Sequence, residues 1–283
     1  MKEASPPTKT EILSNIDPRY LGEYIEFSGQ LREYVSNTLG KAFRADPNPA
    51  RRAYHIVNLV QLEYAAYEDA AAILKALISM RQGKTNSVLE ILESYKPGEA
   101  VLASILDKSS AETAEKLYAA LRLEEAIPAE WASWQPSLDL KKSLLLACRF
   151  FASDCRANQK KLGVAAYNKC KHGPLVIAKG DLFGTTIGPV PSMFFANNAK
   201  KWGEKYGTDP VIVYCFASSD EEIENRERSI HVVQSSLRLF IAVLLGHMYP
   251  TEVTRRWGSL ELMWHSDRLR DVVEFVAEIT VKK

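Results

Sequence analysis

At 283 residues, with 46% apolar and 25% charged residues, the chain has the composition of an ordinary globular protein and the length of one large domain or two modest ones. A chain of this size buries about 75% of the surface its unfolded form exposes, so a core can hold it without metal or disulfide. A net charge of +1 excludes a strongly basic nucleic-acid or membrane binder as a whole, while leaving room for local patches.

The opening MKEASPPTKTE lacks the apolar core of a secretory signal. Ser5-Pro6-Pro7 resists helix, so residues 1–10 read as a disordered leader. A first helix is expected from Pro18, a residue suited to a helix start, to about Phe43, and Ala45-Asp46-Pro47-Asn48-Pro49 ends it. The reading thus sets apart residues 1–49, leader plus first helix, from a helical domain over 50–283. A long helix is expected from about Ala50 to Arg81. Ile56, Leu59, Val60, Tyr67, Ala70, Leu74, Leu77 and Ile78 recur at helical spacing along it. Glu63 falls inside that stripe, so its carboxylate must be paired or protonated, because a bare buried charge is very costly. It is a candidate site carboxylate.

Shorter helices follow over 85–125, split at Lys96-Pro97-Gly98 and Asp107-Lys108-Ser109-Ser110, with Ser110, Glu112 and Glu115 marking a helix start. Trp131, Trp134 and Pro136 read as a loop. Ser137 is then expected to cap a helix from about Leu138 towards His172, with an apolar stripe of Leu140, Leu144, Cys148, Phe151, Cys155 and Leu162. After Gly173 the periodicity changes to short β-branched runs between glycines and prolines, which predicts a small antiparallel β insertion over about 174–217. Ser218 to Glu221 starts a helix reaching about Tyr249, and a final helix is expected over Ser259 to Ile279. The apolar run Leu237 to Tyr249 is too short to span a bilayer and reads as a core helix. The fold class is mainly α, a helical bundle with that β insertion.

The four cysteines, Cys148, Cys155, Cys170 and Cys215, form no C-x-x-C pair, and no two of the five histidines are within four residues, so no metal site and no cofactor are expected. Phosphate-loop, dinucleotide and H-E-x-x-H motifs do not occur. Reduced cysteines and the absence of a signal make the cytoplasm the expected location.

One stretch carries chemistry. Tyr167-Asn168-Lys169-Cys170-Lys171-His172-Gly173 reads as a helix end, with Asn168 and His172 four apart on one face and Gly173 suited to the position after the helix. Lys160, Lys161, Lys169 and Lys171 make it locally basic. This stretch resembles the signature of the HEPN superfamily, in which an Arg, often followed by Asn, Asp or His, precedes a His by four to six residues. Tyr167 stands where that family has its Arg. The resemblance implies a helical, dimeric protein that acts on RNA without a metal, typically in bacterial toxin–antitoxin or phage-defence systems. His172 would then be the acid–base group and Asn168 its orienting partner. Lys169, Lys171 or Arg156 would supply the charge that the missing Arg would otherwise provide. A literal Arg-x4-His, Arg226 to His231, is a second candidate pair, in a helix start rich in charge. Two functions follow from the sequence. One is an RNA-directed HEPN-like protein, and the other is a non-enzymatic helical scaffold using the β insertion as a partner surface. The expected partners are RNA or protein, with a homodimer and no membrane.

Overall fold

The computed structural model describes residues 6–94, 110–135, 139–152, 181–182, 185–186, 192–196, 211–215 and 220–278. These are mainly helical. The chain divides into two compact units, each discontinuous in sequence. The first comprises Met1–Leu31, Tyr67–Arg156 and Val232–Lys283, and the second Arg32–Ala66 and Ala157–His231.

In the first unit, α1 spans Lys9–Glu23. It starts earlier than expected because Thr8 and Glu11 form a reciprocal capping box, which satisfies two helix-end N–H groups at once. Pro18 therefore lies inside the helix rather than at its start. A π-helical turn, Tyr24–Ser28, leads into α2, Gly29–Ala45. The helix α3 runs Pro49–Arg81, close to its expected bounds, and all eight stripe residues are buried. Its part in the first unit is buried beyond that stripe, since Ala71, Ala72, Ile73 and Ala76 are also enclosed; small and branched residues let neighbours approach from several sides.

Further helices of this unit are α4, Val88–Ser94, α5, Ser110–Ala120, α6, Leu123–Ala126, α7, Trp131–Trp134, and α8, Leu140–Phe150. The expected loop at the tryptophans is a helical turn, because Trp131 is buried edge-on against Trp264, with ring centroids 4.9 Å apart. Asp139 caps α8 by accepting the Lys142 N–H; Ser137, expected in that role, lies outside the described residues. Leu140, Leu144, Cys148 and Phe151 are buried as one stripe, and burial pushes the Cys148 thiol far up.

The helix α9, Asp220–Met248, is long and apolar enough to cross a membrane, but 89% of its apolar window is buried, as in a core helix. Beyond it comes a helix that was not expected, α10, Pro250–Trp257, and the single helix expected over Ser259 to Ile279 is two: α11, Leu260–Trp264, and α12, Asp267–Glu278. Gly258 takes φ 84°, a conformation that favours glycine, and Ser259 restarts the helix by accepting the Leu262 N–H.

In the second unit, parts of α2, α3 and α9 bury Phe43, Ile56, Leu59, Val60, Ile223 and Ile230 together, and the Arg52 guanidinium lies 4.3 Å from the Phe43 ring centre, within cation–π range. The strands β1, Asp181–Leu182, and β2, Thr185–Thr186, pair antiparallel. So do β3, Ser192–Ala196, and β4, Val211–Cys215, in register from Ser192 opposite Cys215 to Ala196 opposite Val211.

Candidate functional site

The second unit concentrates charge on the first turns of α9. Asp220, Glu221 and Glu222 open that helix, where its dipole favours acidic residues. One turn later, Arg226 is set between two carboxylates. Its Nη2 donates to Glu222 Oε1 at 2.6 Å, the i,i+4 pair of its own helix, and its Nη1 donates to Glu63 Oε2 at 2.5 Å. The Glu63 side chain is 8% exposed and that of Arg226 16%. Two residues singled out for separate reasons in the sequence are therefore each other's partner. Burial pushes the Glu63 carboxyl above its ordinary value, against the opposing pull of Arg226 and a hydrogen bond with Ser229.

Around this pair, Glu227 accepts from Arg44 Nη2 at 2.8 Å. Gly40 leaves the space that Glu227 occupies, since a Cβ there would collide with its carboxylate. On the next turn, His231 Nδ1 lies 3.0 Å from Glu33 Oε1, and the imidazole is 42% exposed. A carboxylate at Nδ1 fixes ring orientation and tautomer, so this is an acid–base dyad in form. It is an ion pair only when the imidazole is protonated.

What this cluster can do is set by its charge. Arg226 spends one donor of each terminal nitrogen on a carboxylate, so two negative charges already offset its own. Glu33, Glu63, Glu222 and Glu227 give the neighbourhood the wrong sign for RNA. The cluster is built as an internal clamp joining α9 to α3 and α2. Glu33 and the Arg44–Glu227 pair carry no signal in the sequence, because their partners come from a different helix.

The first-choice site residues, Asn168, His172, Lys169, Lys171 and Arg156, lie outside the described residues, as do Lys160, Lys161 and Tyr167. Among the described residues no group of three or more His, Cys, Asp or Glu side chains is placed to hold a metal ion. No family model, curated protein or solved structure matches the chain.

Proposed function

We propose that this chain is an RNA-directed protein of the HEPN-like kind, a metal-independent endoribonuclease or an RNA binder that has lost cleavage. The reading places it in the cytoplasm as a homodimer, in a bacterial toxin–antitoxin or phage-defence setting. His172 is the working acid–base group, oriented by Asn168. It would take the proton of a ribose 2′-hydroxyl as that oxygen attacks the adjacent phosphate. Lys169, Lys171 and Arg156 would offset the charge that develops. In this reading, residues 174–217 form a small β insertion beside the site. The supporting observation is the engagement of Arg226: with its guanidinium held between Glu63 and Glu222, the literal Arg-x4-His pair has a structural role, which favours the Asn168–His172 stretch as the working site. Incubating the full chain with a mixed RNA pool, with and without a chelator, tests this. Cleavage that survives the chelator, or retention of RNA without cleavage, is the expected result. Neither cleavage nor retention would sink it.

A second reading, a non-enzymatic helical scaffold, is favoured by a different observation. Phe27 and Leu31 are 54% and 69% exposed, and Ile12 and Ile16 on α1 are 47% and 39% exposed. Large apolar side chains that water reaches in this way are common at protein contacts.

A further inference from the structure

We propose that a recess in the first unit, lined by Arg81, Arg122 and His247, binds a phosphate-type oxyanion. The inference does not rest on the RNA-directed reading, which concerns other residues. The recess has a volume of about 530 Å³. Its two guanidiniums and one imidazole come from separate elements that only the fold brings together: the last turn of α3, the turn between α5 and α6, and the last turn of α9. Gly83 lines the same recess in a left-handed conformation, and a Cβ there would meet nothing within 4 Å, so that side of the recess stands open.

The placement of each cation is specific. Arg81 is anchored by Nε to the Leu121 carbonyl at 3.2 Å and by Nη2 to the Arg122 carbonyl at 3.4 Å. Those bonds hold the guanidinium plane rigid while Nη1 makes no hydrogen bond to a described residue. Arg122 has φ 50°, the one non-glycine residue with positive φ among the described residues. That conformation is strained for an Arg, where Gly or Asn would adopt it readily. From this turn Arg122 lines the recess, its side chain half exposed. Glu125 is the one carboxylate paired with these cations among the described residues, at 2.6 Å from Arg122 and 3.4 Å from Arg81.

The ends of α3 and α9 add partial negative charge that offsets some of this potential, which accounts for Arg81 and His247 in those last turns. It does not account for Arg122, which follows α5 in a strained turn and spends its Nε and Nη2 on Glu125. His247 has no hydrogen bond to a described residue. Burial pushes its imidazole below the ordinary value, helped by Arg81 and Arg122 and opposed by Glu125. Those three groups are the charges that face it. An oxyanion with several acceptor oxygens fits what is left: two guanidiniums on fixed supports and an imidazole that would gain a proton when the anion arrives.

Calorimetric titration of the full chain with inorganic phosphate, and in a parallel arm with a nucleoside 5′-monophosphate, at constant ionic strength tests the proposal. The tighter arm names the source of the phosphate. Saturable binding is expected, with Arg122→Gly weakening it about tenfold or more, the effect of one charge-assisted hydrogen bond, and Lys116→Gln leaving it unchanged. Because glycine suits φ 50°, Arg122→Gly should melt no lower than the parent chain, which separates lost binding from lost fold. The His247 imidazole, followed by NMR, should titrate at higher pH with phosphate bound. No saturable binding in either arm, unchanged affinity in Arg122→Gly, equal loss in Lys116→Gln, or a His247 titration indifferent to phosphate would each overturn it.

Discussion

Each unit buries a carboxylate, and the two are held in opposite ways. Glu63 in the second unit is met by a guanidinium from another helix. Asp17 in the first unit, fully enclosed, is met by no cation in its hydrogen bonding. Its oxygens accept the Val88 N–H at 2.7 Å, the Leu89 N–H at 3.2 Å and the Ser87 hydroxyl at 3.0 Å. It thereby caps the start of α4 from α1. In both cases burial is the largest influence and raises the carboxyl's proton affinity, although the hydrogen bonds of Asp17 pull the other way. The difference teaches what a substitution removes. At Glu63 the partner is a full charge, whose loss strands another. At Asp17 the partners are neutral dipoles whose loss leaves unmet N–H groups.

The largest expected effect follows at once. Arg226→Met should destabilise the chain by about 3–5 kcal/mol at neutral pH, because it leaves Glu63 as an uncompensated buried carboxylate. Adding Glu63→Leu should restore most of that loss in chemical denaturation. Two additive losses would show that the pair is not coupled. A smaller effect is expected from Asp17→Ala, about 1–3 kcal/mol from the N–H and hydroxyl groups left without an acceptor. Asp17→Asn keeps the shape and one acceptor oxygen but turns an NH2 towards a donor, so it should recover only part of that loss, and an equal loss in the two variants would break the contrast drawn here.

The pH dependence is a finer test. A carboxyl raised in the folded state adds stability that is complete below its unfolded value and is lost as pH rises through its folded value. Lowering the pH from neutral should therefore favour the parent chain over Asp17→Asn, and should shrink the deficit of Arg226→Met as Glu63 takes up its proton. Glu124, held below its ordinary value by a hydrogen bond from Lys141 and one from Tyr118, works in the opposite sense, losing its contribution as pH falls. Comparison of variants isolates the buried groups from such surface pairs, and deficits that grew on acidification would contradict the assignment.

Much of the helical frame was legible because it rests on local signals. The stripe of α3 marks its buried residues, and Glu63 within it marks a carboxylate in need of a partner. Ser110 marks the start of α5. Two elements differ from expectation. The Thr8–Glu11 capping box starts α1 directly after Ser5-Pro6-Pro7, and the aromatic–proline cluster at Trp131 is helical because its burial partner lies far along the chain in Trp264. Partnerships between helices were not legible at all. Nothing in the spacing of Glu63, Arg226, Glu33 and His231 says that they meet, and the same holds for Arg81, Arg122 and His247. The first-choice residues, Asn168 and His172, lie outside the described residues, so the sequence alone speaks for them.

The most direct measurement of the functional account sets His172→Ala beside His231→Ala in the same RNA-pool assay, reading cleavage and RNA retention together, with thermal melting as a control. The account predicts that His172→Ala abolishes the activity, while melting within about 1 kcal/mol of the parent chain, as surface changes do. It predicts that His231→Ala, whose imidazole answers to Glu33 in an acidic cluster, keeps the activity. Activity lost with His231 and kept without His172 would contradict it.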